Sequence, residues 1–135
     1  MRIVSSDYAR IFEVGTFEIW SALSATIEVL ISRKRKDITL ALNFLSNGVC
    51  ESKDCIECAK EFNLIRDCLS QFPPDNVVYD ASNRSYVPDW AKNISPVITS
   101  CANFFTTSDG QDLLFEIVSI LCYGGITGHR ITIEN

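Results

Sequence analysis

The stretch TFEIWSALSATIEVLI, residues 16–31, decides the class of fold. Thr16 can act as an N-cap, and Phe17, Trp20, Leu23, Ile27, Leu30 and Ile31 recur at steps of three and four, so one helical face is apolar. Glu18, Ser21, Ser24 and Glu28 interrupt the run, leaving it too short and too charged to span a bilayer. The cations Arg33-Lys34-Arg35-Lys36 close it at the negative end of the helix dipole.

Working outward, Arg2–Val4 and Tyr8–Glu13 read as short strands joined by a turn at Ser5-Ser6-Asp7. Downstream, Ile38, Leu40, Leu42 and Phe44 alternate with Thr39, Ala41 and Asn43, the period of a strand over 38–45 that Asn47-Gly48 would end. Asp54 with Glu57 opens a helix to about Gln71, with the inward stripe Cys58, Phe62, Ile65, Leu69 and a stop at Pro73-Pro74. Val77–Asp80 reads as a short strand, followed by a polar, aromatic stretch through Trp90. Ser95-Pro96 starts a helix reaching Phe105, and Ser108 with Gln111 caps a final helix. That helix turns Leu113, Ile117, Ile120 and Leu121 inward and would stop at Gly124-Gly125, before a last strand at His129–Glu134. The expectation is a single α/β domain over residues 1–135, a mixed β-sheet of four to five strands packed with about four helices.

Composition agrees with one core-forming domain: 135 residues, 47% hydrophobic and 21% charged, are far from the make-up of disordered chains. A formal charge of −5 argues against general nucleic-acid binding, which needs Lys and Arg to displace counterions from phosphates. The acidity is uneven, with six basic side chains against thirteen acidic ones after residue 36. Such a surface can steer a basic protein partner, and it serves solubility equally well. The chain opens without an apolar run of signal-peptide length, so a cytoplasmic protein with six free thiols is expected.

Two patterns could carry chemistry. Cys50, Cys55 and Cys58 have the C-x4-C-x2-C spacing of some iron–sulfur proteins, with Cys68 or Cys101 available as a fourth ligand. The plainer reading makes them small buried thiols at a helix start, with no metal or cofactor. His129, the one histidine, would have to be the base of any Ser-His-Asp or Cys-His mechanism, with Cys101 or Cys122 as thiol; otherwise it is structural. The glycines of 124–128 run from helix into strand, the reverse of a phosphate loop, and Asp109 and Asp112 suit a helix start. No catalytic residue is assigned.

Phe72-Pro73-Pro74-Asp75-Asn76-Val77-Val78-Tyr79-Asp80, leading to Pro88-Asp89-Trp90, and Asn93-Ile94-Ser95-Pro96 through Ile98-Thr99-Ser100 to Phe105-Thr106-Thr107-Ser108-Asp109-Gly110 carry a resemblance. They are similar to the bacterial immunity proteins numbered 70 among polymorphic toxin systems. The segment Cys50–Cys58 and the Pro88-Asp89-Trp90 form of a Pro-Pro-Trp type of site depart from that pattern. The resemblance implies an antidote, as in contact-dependent growth inhibition, that binds the C-terminal domain of its cognate toxin in the cytoplasm and catalyses nothing. Because 75–90 is polar, aromatic and not periodic, Asp75, Tyr79, Asp80, Tyr86, Asp89 and Trp90 are the expected toxin contacts. The rival is a cysteine-dependent metal protein or enzyme using Cys50/Cys55/Cys58 or His129, and a homo-oligomeric scaffold is a third reading.

Overall fold

The two ends of the chain meet in the middle of one sheet. In the computed structural model, which describes all 135 residues, β1 (Arg2–Ser5) and β4 (Ile131–Glu134) pair with Arg2 opposite Glu134 and Ser5 opposite Ile131. β2 (Ile11–Glu13) flanks β1 as a hairpin, and β3 (Val49–Cys50) flanks β4, giving the order β2-β1-β4-β3. Four strands match the expected number. Every pairing is antiparallel where a mixed sheet was expected, because the helical connections join opposite edges or antiparallel neighbours.

Five α-helices complete the fold: α1 (Phe17–Ile27), α2 (Thr39–Asn47), α3 (Ser52–Leu69), α4 (Cys101–Phe104) and α5 (Leu113–Thr127). The expected stripe of α1 is buried at Trp20, Leu23, Ile27 and Ile31, the last in a π-turn that continues the helix through Glu28–Ser32. Phe17 departs from it and is 66% exposed. Trp20 meets Phe44 of α2 edge-on at 6.3 Å, and Phe44 meets Phe62 of α3 likewise at 6.2 Å, so three helices share an aromatic junction. α3 and α5 form the most extensive helix pair. No helix is long and apolar enough to cross a membrane.

The strand expected at 38–45 is the helix α2. Its buried positions are Ile38, Ala41 and Phe44, a step of three, and the alternation of leucines with smaller residues is incidental. A carboxylate from α3 decides the matter: Glu61 accepts a hydrogen bond from the Ala41 N–H at 3.0 Å, one of the donors a helix start leaves free. Gly48, at φ +74, lets the chain leave α2 in the left-handed conformation.

Val77–Asp80 is not a strand either. Val77 and Val78 are buried, but the Thr26 side chain takes the place of a neighbouring strand in bonding the Val78 main chain. The helix expected from Ser95 shrinks to α4, where Ser100 and Asn103 cap reciprocally. Asp112, rather than Ser108, caps α5. Gly124 and Gly125 do not end α5, which runs to Thr127; they let it pack closely, Gly124 on His129 and Ile131 and Gly125 on Ile56 of α3.

Candidate functional site

The segment from Val77 to Trp90 is held at both ends and polar between. Val78 is fixed on α1, the next residue Tyr79 is half-buried, and Asp80 folds the chain into a turn by accepting from the Ser82 N–H at 2.9 Å and its hydroxyl at 2.7 Å. Those bonds hold the Asp80 carboxyl below the ordinary carboxylate range. Tyr86 closes a second turn on the Asn83 carbonyl, and Pro88 leads into a 3-10 turn, Asp89–Ala91, that presents Trp90.

Trp90 is 46% exposed and separates two depressions. On one side a cavity of about 160 Å³ lies between Phe17, Glu18, Tyr79, Tyr86, Pro88 and Trp90. On the other an open groove of about 440 Å³ is lined by Val14, Ile19, Ile94, Ile98 and Phe104 with the hydroxyls of Thr106, Thr107 and Ser108 nearby. Behind Trp90 an aromatic series leads inward: Trp90 and Tyr79 meet edge-on at 5.7 Å, Tyr79 and Phe104 at 6.1 Å, Phe104 and Phe105 at 5.1 Å. The series ties an exposed indole to the core and so holds its orientation. Burial raises the Tyr79 phenol above its ordinary value.

Of the expected contacts, the fold brings Tyr79, Tyr86 and Trp90 together around the smaller cavity. Asp75, Asp80 and Asp89 line neither depression. Asp75 lies in a 3-10 turn at Pro74–Asn76; burial pushes the nearby Cys101 thiol up to about 12, with a smaller contribution from the Asp75 charge. Asp89 is paired with Lys92 at 2.8 Å and is almost fully exposed. Sequence reasoning missed Phe17 and Glu18, because the step from Phe17 to Trp20 looks like core; a first-turn position beyond the packed part of a helix was the available signal. It also missed the groove, whose walls come from 14–19, 90–98 and 104–108, stretches far apart in the chain.

The residues of the rival reading are placed as follows. Cys50, Cys55 and Cys58 adjoin one another, with the Cys55 thiol donating to the Cys50 carbonyl at 3.6 Å and the Cys50 thiol to the Glu51 carbonyl at 3.8 Å; their mutual proximity lowers the pKa of the Cys50 thiol and raises those of Cys55 and Cys58. No group of three or more His, Cys, Asp or Glu side chains is arranged to hold a metal ion. The suggested fourth ligands lie elsewhere. Cys68 faces Arg35 and stands about 15 Å along α3 from Cys58, while the Cys101 thiol donates to the Pro73 carbonyl at 3.2 Å.

His129 stacks on Tyr123 at 6.3 Å, with the Ser6 hydroxyl 3.1 Å from Nδ1 and Asp7 Oδ2 3.3 Å from Nε2. Asp7 also accepts from Ser5, from the Tyr123 hydroxyl and from the Ala9 N–H. Ser, His and Asp are thus together, but Ser6 and Asp7 are successive residues of one turn, gripping opposite nitrogens of the ring. The grouping clamps the β1–β2 turn to the end of α5.

No curated protein and no solved structure matches the chain. A family model described as immunity protein 70 matches residues 4–133, which takes in the aromatic face, the thiol group and the His129 clamp alike. With nearly its whole length covered by that match, the chain belongs to the immunity protein 70 family.

Proposed function

We propose that this immunity protein neutralises a cognate toxin by holding the toxin's C-terminal domain in a stable non-covalent complex, with the aromatic face around Trp90 as the centre of contact. The observation that carries the reading is the exposure of Phe17 at 66%, Tyr86 at 48% and Trp90 at 46% on one rim, with apolar hollows on both sides of the indole. Large aromatics left in water cost hydrophobic free energy that a partner recovers, and Trp and Tyr seated beside pockets dominate binding energy in protein complexes. Val87, Ile94 and Val97 are further exposed apolar side chains of the same stretch of chain, and the Glu18 carboxylate adds negative charge at the rim of the smaller hollow.

Protection demands tight binding. A nanomolar dissociation constant corresponds to about −12 kcal/mol, spread over roughly 1,600 Å² in a standard interface, so the two hollows form the middle of a larger contact. A nuclease toxin with a basic substrate groove suits the acidic balance of the chain after residue 36. The work is done in the cytoplasm of the producing cell, in a contact-dependent growth inhibition system, and no bond in the toxin or its substrate is made or broken by this chain.

The test is co-expression with the C-terminal domain of the toxin encoded beside it. Survival of the cells and co-elution of the two chains at a constant ratio are expected. Survival without a complex, or a chain that associates with copies of itself and ignores the toxin domain, would contradict the proposal.

A further inference from the structure

We infer that the smaller hollow beside Trp90 is a cage for a guanidinium, the side-chain head of an arginine on the protein partner. The inference rests on the proposed function and adds the chemistry of the central contact. The walls are four aromatic rings from two elements: Phe17 in the first turn of α1, and Tyr79, Tyr86 and Trp90 from the 79–90 segment, with Pro88 between the last two. Aromatic faces carry the negative part of the ring quadrupole and edges the positive part; Tyr79 and Trp90 stand perpendicular, at 87°, so they do not present their edges to the hollow in one plane, and a cation is drawn to the faces that border it.

Charge at the rim supports the same occupant. Glu18 lines the cavity, is exposed, and like Glu28, Glu61 and Glu116 takes part in none of the protein's ion pairs, so its carboxylate at the rim is free to meet a cation. Its position in the first turn of α1 also offsets the positive end of that helix, which would otherwise repel a cation. The volume, about 160 Å³, equals that of about five water molecules in the liquid. It has room for the planar end of one side chain. Arginine is favoured over lysine because a planar, weakly hydrated guanidinium stacks on aromatic faces and still directs N–H donors to a carboxylate.

The experiment titrates N-acetyl-arginine amide into the full-length protein and follows the two indole N–H resonances by NMR. Trp20, only 4% exposed, serves as an internal reference for the fold. The cage requires a saturable shift of the Trp90 resonance in the millimolar range, with Trp20 unmoved. N-acetyl-citrulline amide, of the same shape and uncharged, should bind at least tenfold more weakly. Glu18→Gln and Tyr86→Ala, both at exposed positions, should each weaken the arginine response several-fold. No saturable shift of Trp90 up to about 100 mM, an equal response to citrulline, or an unchanged response in both variants would overturn the cage. A toxin domain that binds while the arginine amide does not removes the cage alone. An arginine response without any toxin complex removes the proposed function and leaves the cage standing.

Discussion

Thr26 on α1 and Val78 at the start of the aromatic segment are joined through one buried hydroxyl. The Thr26 Oγ1 accepts from the Val78 N–H at 3.0 Å and lies 3.2 Å from the Val78 carbonyl and 2.7 Å from that of Ala22, where it donates. Both residues are nearly inaccessible, so water cannot replace the bonds. Replacing Thr26 by valine keeps the shape and strands the buried Val78 N–H, at a cost of about 1–3 kcal/mol. Urea denaturation should give a lower midpoint with an unchanged slope. An unshifted midpoint would show that the segment is held by other contacts.

The two glycines inside α5 should respond differently to alanine. A Cβ on Gly124 would lie 2.7 Å from the His129 backbone oxygen, whereas on Gly125 its nearest neighbours are side-chain carbons of Ile56, Cγ1 at 2.5 Å and Cδ1 at 2.7 Å, with the Ile56 backbone nitrogen farther off at 3.2 Å. Backbone cannot yield cheaply and a flexible side chain can. Gly124→Ala is therefore expected to destabilise by about 1–3 kcal/mol. Gly125→Ala should cost less, since the gain in helix propensity, about 1 kcal/mol, offsets the repacking of Ile56. Thermal melts of the two variants check the order, and the reverse order would contradict the packing described.

Asp7 should make stability depend on acid. Hydrogen bonds from Ser5 and Tyr123, with smaller contributions from the Ala9 N–H and His129, lower its carboxyl from the ordinary 3.8 to about 2. A group whose pKa is depressed by folding contributes stability above the unfolded value and loses it as pH falls through the folded one. The loss attributable to Asp7 therefore lies between about pH 4 and about pH 2. Urea midpoints measured across that window should fall less steeply in Asp7→Asn than in the parent. Parallel profiles would mean that the clamp around His129 does not hold the carboxylate.

The thiols distinguish this account from the metal-protein rival. Cys50, Cys55, Cys58 and Cys101 are buried, and Cys68 and Cys122 are half-buried. In the native protein a thiol reagent such as Ellman's should titrate Cys68 and Cys122 first, and all six only after unfolding. Metal analysis should find no stoichiometric zinc or iron. Metal at one equivalent, removed together with the fold by a chelator, would favour the rival.

Much of the fold was legible because packing periodicity and turn chemistry are local. The stripe Cys58, Phe62, Ile65, Leu69 is buried in full, and the end strands lie where alternation puts them. What was not legible depends on partners distant in the chain. Residues 38–45 carry a strand's alternation, but Glu61 caps them as a helix from twenty positions away. Val77-Val78 has strand-like composition, and its partner is a threonine on α1. The aromatic members of the candidate site stood out in one polar stretch, whereas Phe17 and Glu18 reach it only through the docking of α1.

The most direct measurement is calorimetric titration of the cognate toxin's C-terminal domain with the parent protein and with Trp90→Ala, circular dichroism confirming that both are folded. The expected result is a one-to-one complex of nanomolar affinity, weakened by about 2 kcal/mol, or about 30-fold, in the variant. Equal affinities for the two proteins, or no complex with the parent, would contradict the assignment of toxin binding to the face around Trp90.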